Sequence, residues 1–243
     1  MTRIAILETG RPPEHLRDAF DDYPARFRAL LGETVPTVRF DVQSGHLPDD
    51  PSEFTGAIVT GSAAGVYDDL PWIEPLIDWL RLARGRTRLL GICFGHQILA
   101  HAFGGRVEKS SKGWGVGLHR YEVVSHEPWM HPRAGSLAIP VSHQDQVVAL
   151  GPDARVIAAS DFTPYAGLAW GTDVASFQCH PEFQPAYAAA LIEGRRGARI
   201  PPDLADEALD SLSRPNDRAV LTAWIRAFLL LTPPPVEGEG SGI

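Results

Sequence analysis

The stretch Leu89-Leu90-Gly91-Ile92-Cys93-Phe94-Gly95-His96-Gln97 sets a thiol between two glycines, where an apolar run gives way to a helix-compatible one. Gly-x-nucleophile-x-Gly is the spacing of a nucleophile elbow, here with cysteine as the nucleophile. The glycines have a steric reason. The strand must turn sharply into the helix while its central residue takes a strained backbone conformation, and a Cβ on either side would obstruct the turn. Cys93 then projects above the positive end of the helix dipole, which favours thiolate over thiol. The same residues also fit a small apolar cysteine packed at a strand end. A cysteine nucleophile needs a base, and the base needs an orienting group. Phe177-Gln178-Cys179-His180-Pro181-Glu182 offers both. His180 takes the thiol proton and later protonates the leaving amine, while Glu182 holds the imidazole tautomer and stabilises its cation. Cys179 falls on the strand before them, its side chain expected to point away into the core.

These segments need elements to carry them. Residues 3–7 read as a buried strand, Pro13–Leu31 as a helix, Val38–Val42 and Ala57–Thr60 as strands, Ile73–Ala83 as a helix, and Arg88–Cys93 as a strand followed by the helix Gln97–Phe103. Continuous apolar strands alternating with helices indicate a mostly parallel open sheet covered by helices on both faces, an α/β fold. Past Gly104-Gly105 come short β-like stretches at 117–124, 136–140, 146–149, 155–160, 166–170 and 174–179, read as hairpin strands added to the core. Helices at Ala186–Arg196, Asp203–Leu212 and Ala219–Leu231 follow, and the Pro- and Gly-rich tail from 233 to 243 is expected to be disordered. A single domain over residues 1–232 is the expectation, with no internal repeat or linker. In such sheets the carboxyl ends of the strands form the binding crevice, which would bring Cys93 and His180 together.

Composition excludes several alternatives. A net charge of −8 argues against a nucleic-acid-binding surface. Two cysteines make no disulfide framework, and a reactive thiol needs a reducing compartment. Ile4-Ala5-Ile6-Leu7 before Glu8 is too short for a signal peptide, and no apolar run approaches the ~18 residues of a membrane span. A cytoplasmic location is therefore expected. His119, His126 and His131 lack metal-ligand spacing with any Cys or carboxylate cluster, so no metal and no cofactor are expected. The Gly-rich Gly113-Trp114-Gly115-Val116-Gly117 follows no strand–helix pattern and is not read as a phosphate loop; Trp114 is expected at the mouth of the site.

Gly91-Ile-Cys93-Phe-Gly95-His-Gln97 followed well downstream by His180-Pro-Glu182 resembles the class I (triad) glutamine amidotransferases, over roughly residues 4–184. The resemblance implies a flavodoxin-like α/β fold and attack of Cys93 on the side-chain amide carbon of glutamine, giving a γ-glutamyl thioester that water hydrolyses. Gly61-Ser62-Ala63-Ala64-Gly65-Val66-Tyr67-Asp68 stands where the family has Gly-Gly-Pro-x-Ser-Val-Tyr-Asp. The resemblance puts the oxyanion hole at the N–H groups near Ser62, beside Gly61, and of Phe94. Ser142-His143-Gln144-Asp145 is similar to the family's Ser-His-Gly-Asp, which frames the glutamine α-amino and carboxylate groups, with Gln144 in place of glycine. Gln97 matches a residue that contacts the bound glutamine. His143 could pass for the base, but the likeness and the nearby Glu182 favour His180.

No segment resembles the nucleotide-binding domain of a synthase. The resemblance therefore implies a small-molecule γ-glutamyl substrate, glutamine or a γ-glutamyl peptide, hydrolysed by a stand-alone protein of the γ-glutamyl peptidase kind. Two alternatives stand beside it: a glutaminase subunit delivering ammonia to a separate synthase, and a non-catalytic regulatory protein of the same fold. The oligomeric state is not legible in the sequence.

Overall fold

The computed structural model describes residues 2–231; the tail expected at 233–243 lies outside the described residues. Five parallel strands form the centre: β1 (Ile4–Glu8), β2 (Thr37–Asp41), β3 (Gly56–Val59), β4 (Arg88–Ile92) and, far along the chain, β11 (Val174–Phe177). Their spatial order is β2-β1-β3-β4-β11. Antiparallel strands β10 (Gly167–Trp170), β9 (Arg155–Ala159), β6 (Gly115–Val123) and β7 (Ser136–His143) extend the same sheet beyond β11. The core is thus parallel and the additions are antiparallel. Strand β5 (Arg106–Lys109) was not expected from the sequence; it pairs with β8 (Asp145–Ala149) in a separate two-stranded sheet. With Arg106, Glu108 and Lys109 exposed and Val107 alone buried, it offers one apolar side chain to find.

Alternation along β1 explains the two covered faces. Ile4 and Ile6 pack with Phe27 and Leu31 of α1 (Tyr23–Leu31) and with Leu221, Trp224 and Phe228 of α6 (Arg218–Phe228). Ala5 and Leu7 pack with Leu76 and Leu80 of α2 (Ile73–Ala83) and with Ile98 and Leu99 of α3 (Phe94–Ala102). A strand buried on both sides is expected to be a continuous apolar run, and β3 is, as are β1 up to Glu8 and β4 after Arg88.

Several boundaries differ from the periodicity. The helix expected over Pro13–Leu31 begins only at Tyr23, preceded by a 3-10 turn at Glu14–Leu16. Asp22 decides the start, because its carboxylate caps Ala25 N at 2.8 Å and Pro24 follows in the first turn. The helix expected from Gln97 starts three residues earlier, at Phe94. Helix α4 (Pro185–Glu193) stops before Arg196, α5 (Pro202–Ser211) keeps close to its expected span, and α6 ends at Phe228, with Leu230 at a φ of 58°.

Candidate active site

The sharp turn between β4 and α3 leaves Cys93 at φ 55° and ψ −102°, a left-handed backbone at a residue that is not glycine. Such a conformation costs on the order of 1–3 kcal/mol and persists only where neighbours enforce it. The neighbours are visible. A Cβ on Gly91 would strike the carbonyl of Gly95, and one on Gly95 would strike the carbonyl of Val59 in β3. Cys93 N donates to Phe177 O at 2.9 Å, joining the end of β4 to the end of β11. The first three N–H groups of α3 lie ahead of its first internal bond, Gln97 N to Cys93 O at 3.1 Å, so the thiol stands over a helix N-terminus.

His180 follows β11, the strand beside β4, and its N–H donates to Pro140 O of β7 at 2.8 Å. That bond crosses the sheet because β6 meets β9 only at Glu122–Ala159 and Val123–Ala158, which frees the other end of the β6–β7 hairpin to fold over β11. His180 Nδ1 donates to Glu182 Oε1 at 2.7 Å, with both side chains almost wholly buried. Phe183 stacks on the imidazole, ring centroids 3.9 Å apart, fixing the ring plane. Burial by itself would depress the His180 pKa, but the Glu182 charge and the charge and hydrogen bonding of Cys93 outweigh it and push it up to about 10.

Gly61, just past β3, shows how close the two groups stand. A Cβ there would lie 3.1 Å from His180 Cε1 and 3.8 Å from Cys93 Cβ. Thr9 holds this loop, since its N–H donates to Thr60 Oγ1 at 3.0 Å and its hydroxyl to Thr60 O at 2.9 Å. Gly61, Ser62, Cys93 and His180 line one cavity of about 370 Å³. Phe94 is the first residue of α3, directly after the thiol.

A larger cleft of about 810 Å³ also reaches Cys93 and holds Ser62, Gln97, Ser142, His143, Gln144 and Asp145, sharing Ser62 and Ser142 with the smaller cavity. The structure therefore gathers all the binding residues expected from the resemblance around one thiol. Their roles within it are more specific than the sequence suggested. Gln97 Nε2 donates to Asp145 O at 2.8 Å and to Gln178 Oε1 at 3.1 Å, leaving Oε1 for a ligand. His143 is buried and bonded through Nδ1 to Asp145 O at 3.1 Å, and burial drives its pKa down to about 3. It is a neutral strut for the loop. Gln144, where the family has glycine, forms part of the cleft wall without closing it. Ser142 O lies 4.0 Å from Cys93 Sγ. Cys179 is buried in the core, and burial holds its thiol well above the usual range.

Four lining residues were not identified as binding residues from the sequence. Tyr67 OH donates to Asp145 Oδ2 at 2.7 Å, and partial burial plus that carboxylate push its pKa up to about 12. Its place in the Gly61–Asp68 segment was the available signal. Trp114, expected at the mouth, lies in the cleft wall under the guanidinium of Arg195, 5.4 Å from its ring centroid. Arg195 and Arg199 line both cavities, and nothing in their local sequence marks them. Among the described residues no group of three His, Cys, Asp or Glu side chains could hold a metal ion, and no helix is long and apolar enough to cross a membrane.

The family model for class-I glutamine amidotransferases matches residues 25–193. The chain belongs to the class-I glutamine amidotransferase family. Among its relatives, γ-glutamyl peptidase 5 of Arabidopsis thaliana is 32% identical over 79% of this chain and 80% of its own. The glutamine-hydrolysing GMP synthase of Thermus thermophilus is 36% identical over 51% of this chain, a stretch that makes up 24% of that enzyme. A glutamine amidotransferase structure from Thermotoga maritima superposes with a TM-score of 0.72, 20% identical, covering 94% of this chain and 98% of its own. The amidotransferase elbow and the His-Pro-Glu turn both lie in the matched region.

Proposed function

We propose that this amidotransferase domain, read as residues 1–232, is a thiol hydrolase of γ-glutamyl amides, with Cys93 as nucleophile, His180 as acid and base, and Glu182 as the group that orients His180. The observation that carries the reading is the strained Cys93 turn facing a cavity with a histidine whose far nitrogen is tied to a buried carboxylate. The Cys93 thiolate attacks the γ-carbonyl carbon and a C–S bond forms. The oxyanion accepts from the N–H groups of Phe94 and Ser62. As the tetrahedral intermediate collapses the C–N bond breaks, and the proton carried by His180 goes to the departing amine. His180, now neutral, takes a proton from water, which attacks the thioester and releases glutamate and the thiolate. The glutamyl α-amino and carboxylate groups sit among Gln97, Ser142, Gln144 and Asp145, with His143 bracing the loop. A reactive thiol requires reducing surroundings, so the reading assigns the protein to the cytoplasm.

The test incubates the purified protein alone with glutamine and with γ-glutamyl peptides and follows glutamate release against Cys93→Ala. Release that Cys93→Ala abolishes is expected; release that survives the substitution overturns the reading. A second reading, a glutaminase subunit serving a separate synthase, is favoured by the match to the glutamine-hydrolysing GMP synthase. It predicts silence of the isolated protein on every substrate while Cys93 still alkylates rapidly at neutral pH.

A further inference from the structure

Two cavities meet at Cys93, and they are chemically different. Gln97, Tyr67 and Asp145 line only the larger, whereas His180 lines only the smaller. Because His180 must reach the departing nitrogen, the glutamyl half of the substrate belongs in the larger cleft and the leaving group in the smaller cavity. An ammonia leaving group would need no further recognition there. Yet that cavity is lined by Arg11 and Arg17, and by Arg195 and Arg199 where it adjoins the larger cleft, with no aspartate or glutamate among the described residues that line it.

The four arginines are not equally committed. Arg11 is paired with Asp41 at 2.6 Å, and Arg17 Nε donates to Pro12 O at 2.9 Å. Arg195 and Arg199 have no carboxylate within ion-pair reach among the described residues. Arg195 is oriented nonetheless. Its Nη1 donates to Ser142 Oγ at 2.5 Å, and its guanidinium lies over Trp114. Ser142 is the residue whose carbonyl stands 4.0 Å from the Cys93 sulfur, so the guanidinium is held beside the reacting centre. Burial, with a contribution from the like charge of Arg199, lowers the Arg195 pKa, a cost that an anion between the two would relieve.

We infer that Arg195 and Arg199 form a leaving-group subsite for a carboxylate, so that the preferred substrates are γ-glutamyl amides of an amino acid or short peptide with a free C-terminus. This rests on the γ-glutamyl hydrolase reading above. A planar guanidinium accepts a carboxylate through two parallel N–H bonds, and partial exclusion of water strengthens them.

The test compares γ-glutamylglycine with γ-glutamylglycinamide, which differ only in the leaving-group carboxylate, using the full chain. The expected kcat/KM for the acid exceeds that for the amide by roughly tenfold or more, the discrimination of a charged hydrogen bond. Arg195→Gln and, separately, Arg199→Gln are expected to narrow that ratio. The wild-type ratio needs no variant, so a misfolded substitution does not obscure the answer. A ratio near unity, or one that both variants leave intact, overturns the inference while glutamate release stands. Equal losses on both substrates in Arg195→Gln would assign that guanidinium to the glutamyl half and also overturn it. If the wild-type protein releases glutamate from neither substrate nor from glutamine, the hydrolase reading falls and the subsite with it.

Discussion

His180 and Glu182 are joined through Nδ1 and Oε1 at 2.7 Å although one residue alone, Pro181, separates them in the chain. The pairing commits Nδ1 as a donor and leaves Nε2 as the nitrogen for Cys93. Both groups are buried, so the bond works in a low-dielectric setting where the carboxylate acts strongly on the imidazole.

The pH dependence follows from the sign of that interaction. His180 titrates above its ordinary value of 6.5, at about 10, so its protonated form favours the folded chain. That contribution is complete below 6.5 and is lost as pH rises through about 10. Cys93→Ala removes one of the groups that raise it, and Glu182→Gln removes the other. Each is expected to lower the His180 midpoint, read by NMR of the ring protons. A midpoint that neither substitution moves would show that His180 is not coupled to Cys93 and Glu182.

Glu182→Gln should leave a reduced but measurable rate, on the order of 10²–10⁴ below wild type, because the tautomer is no longer enforced while the base remains. His180→Ala should be close to inactive. Single-turnover glutamate release compares the two.

The left-handed backbone at Cys93 separates chemistry from stability. Cys93→Ala and Cys93→Gly are both expected to be inactive, but glycine relieves the φ of 55° and alanine does not. Cys93→Gly should be the more stable of the pair by about 1 kcal/mol, measured by urea denaturation.

Gly61→Ala tests the spacing of nucleophile and base. Its Cβ would press on His180 Cε1 at 3.1 Å, tight enough to displace the ring by a few tenths of an ångström or more. A fall in kcat of up to about 10² is expected, with little change in melting temperature. An unaltered kcat would mean that His180 yields without consequence.

Tyr67→Phe removes the bond to Asp145 Oδ2. Because Asp145 O also receives Gln97 Nε2, loosening this loop should raise KM by roughly tenfold and leave kcat largely intact. Steady-state kinetics on a γ-glutamyl peptide distinguishes the two parameters.

What could be read from residue order alone was whatever local backbone geometry enforces. The Gly91-x-Cys93-x-Gly95 turn and the His180-Pro181-Glu182 turn are short-range: the residue types serve the geometry within a few positions, and both lay at strand ends as their apolar runs indicated. The parallel core was legible because strands buried on both faces read as continuous apolar runs. Strand β5 was not, because a strand with a single buried residue has no pattern to detect. The start of α1 at Tyr23 was missed because the period through Leu16 and Phe20 continues across a break that the Asp22 cap imposes.

Only tertiary structure decided which groups line the two cavities at Cys93. The fold-back of the β6–β7 hairpin brings Pro140 to His180 and Ser142 to Cys93, and the chain after α4 brings Arg195 onto Ser142. These contacts join residues far apart in sequence, and their energies depend on burial and charge that no local segment carries. The turns that carry Cys93, His180 and Glu182 were therefore legible in order and spacing, whereas the meeting of Arg195 with Ser142 beside Cys93 arose where separate elements were packed together.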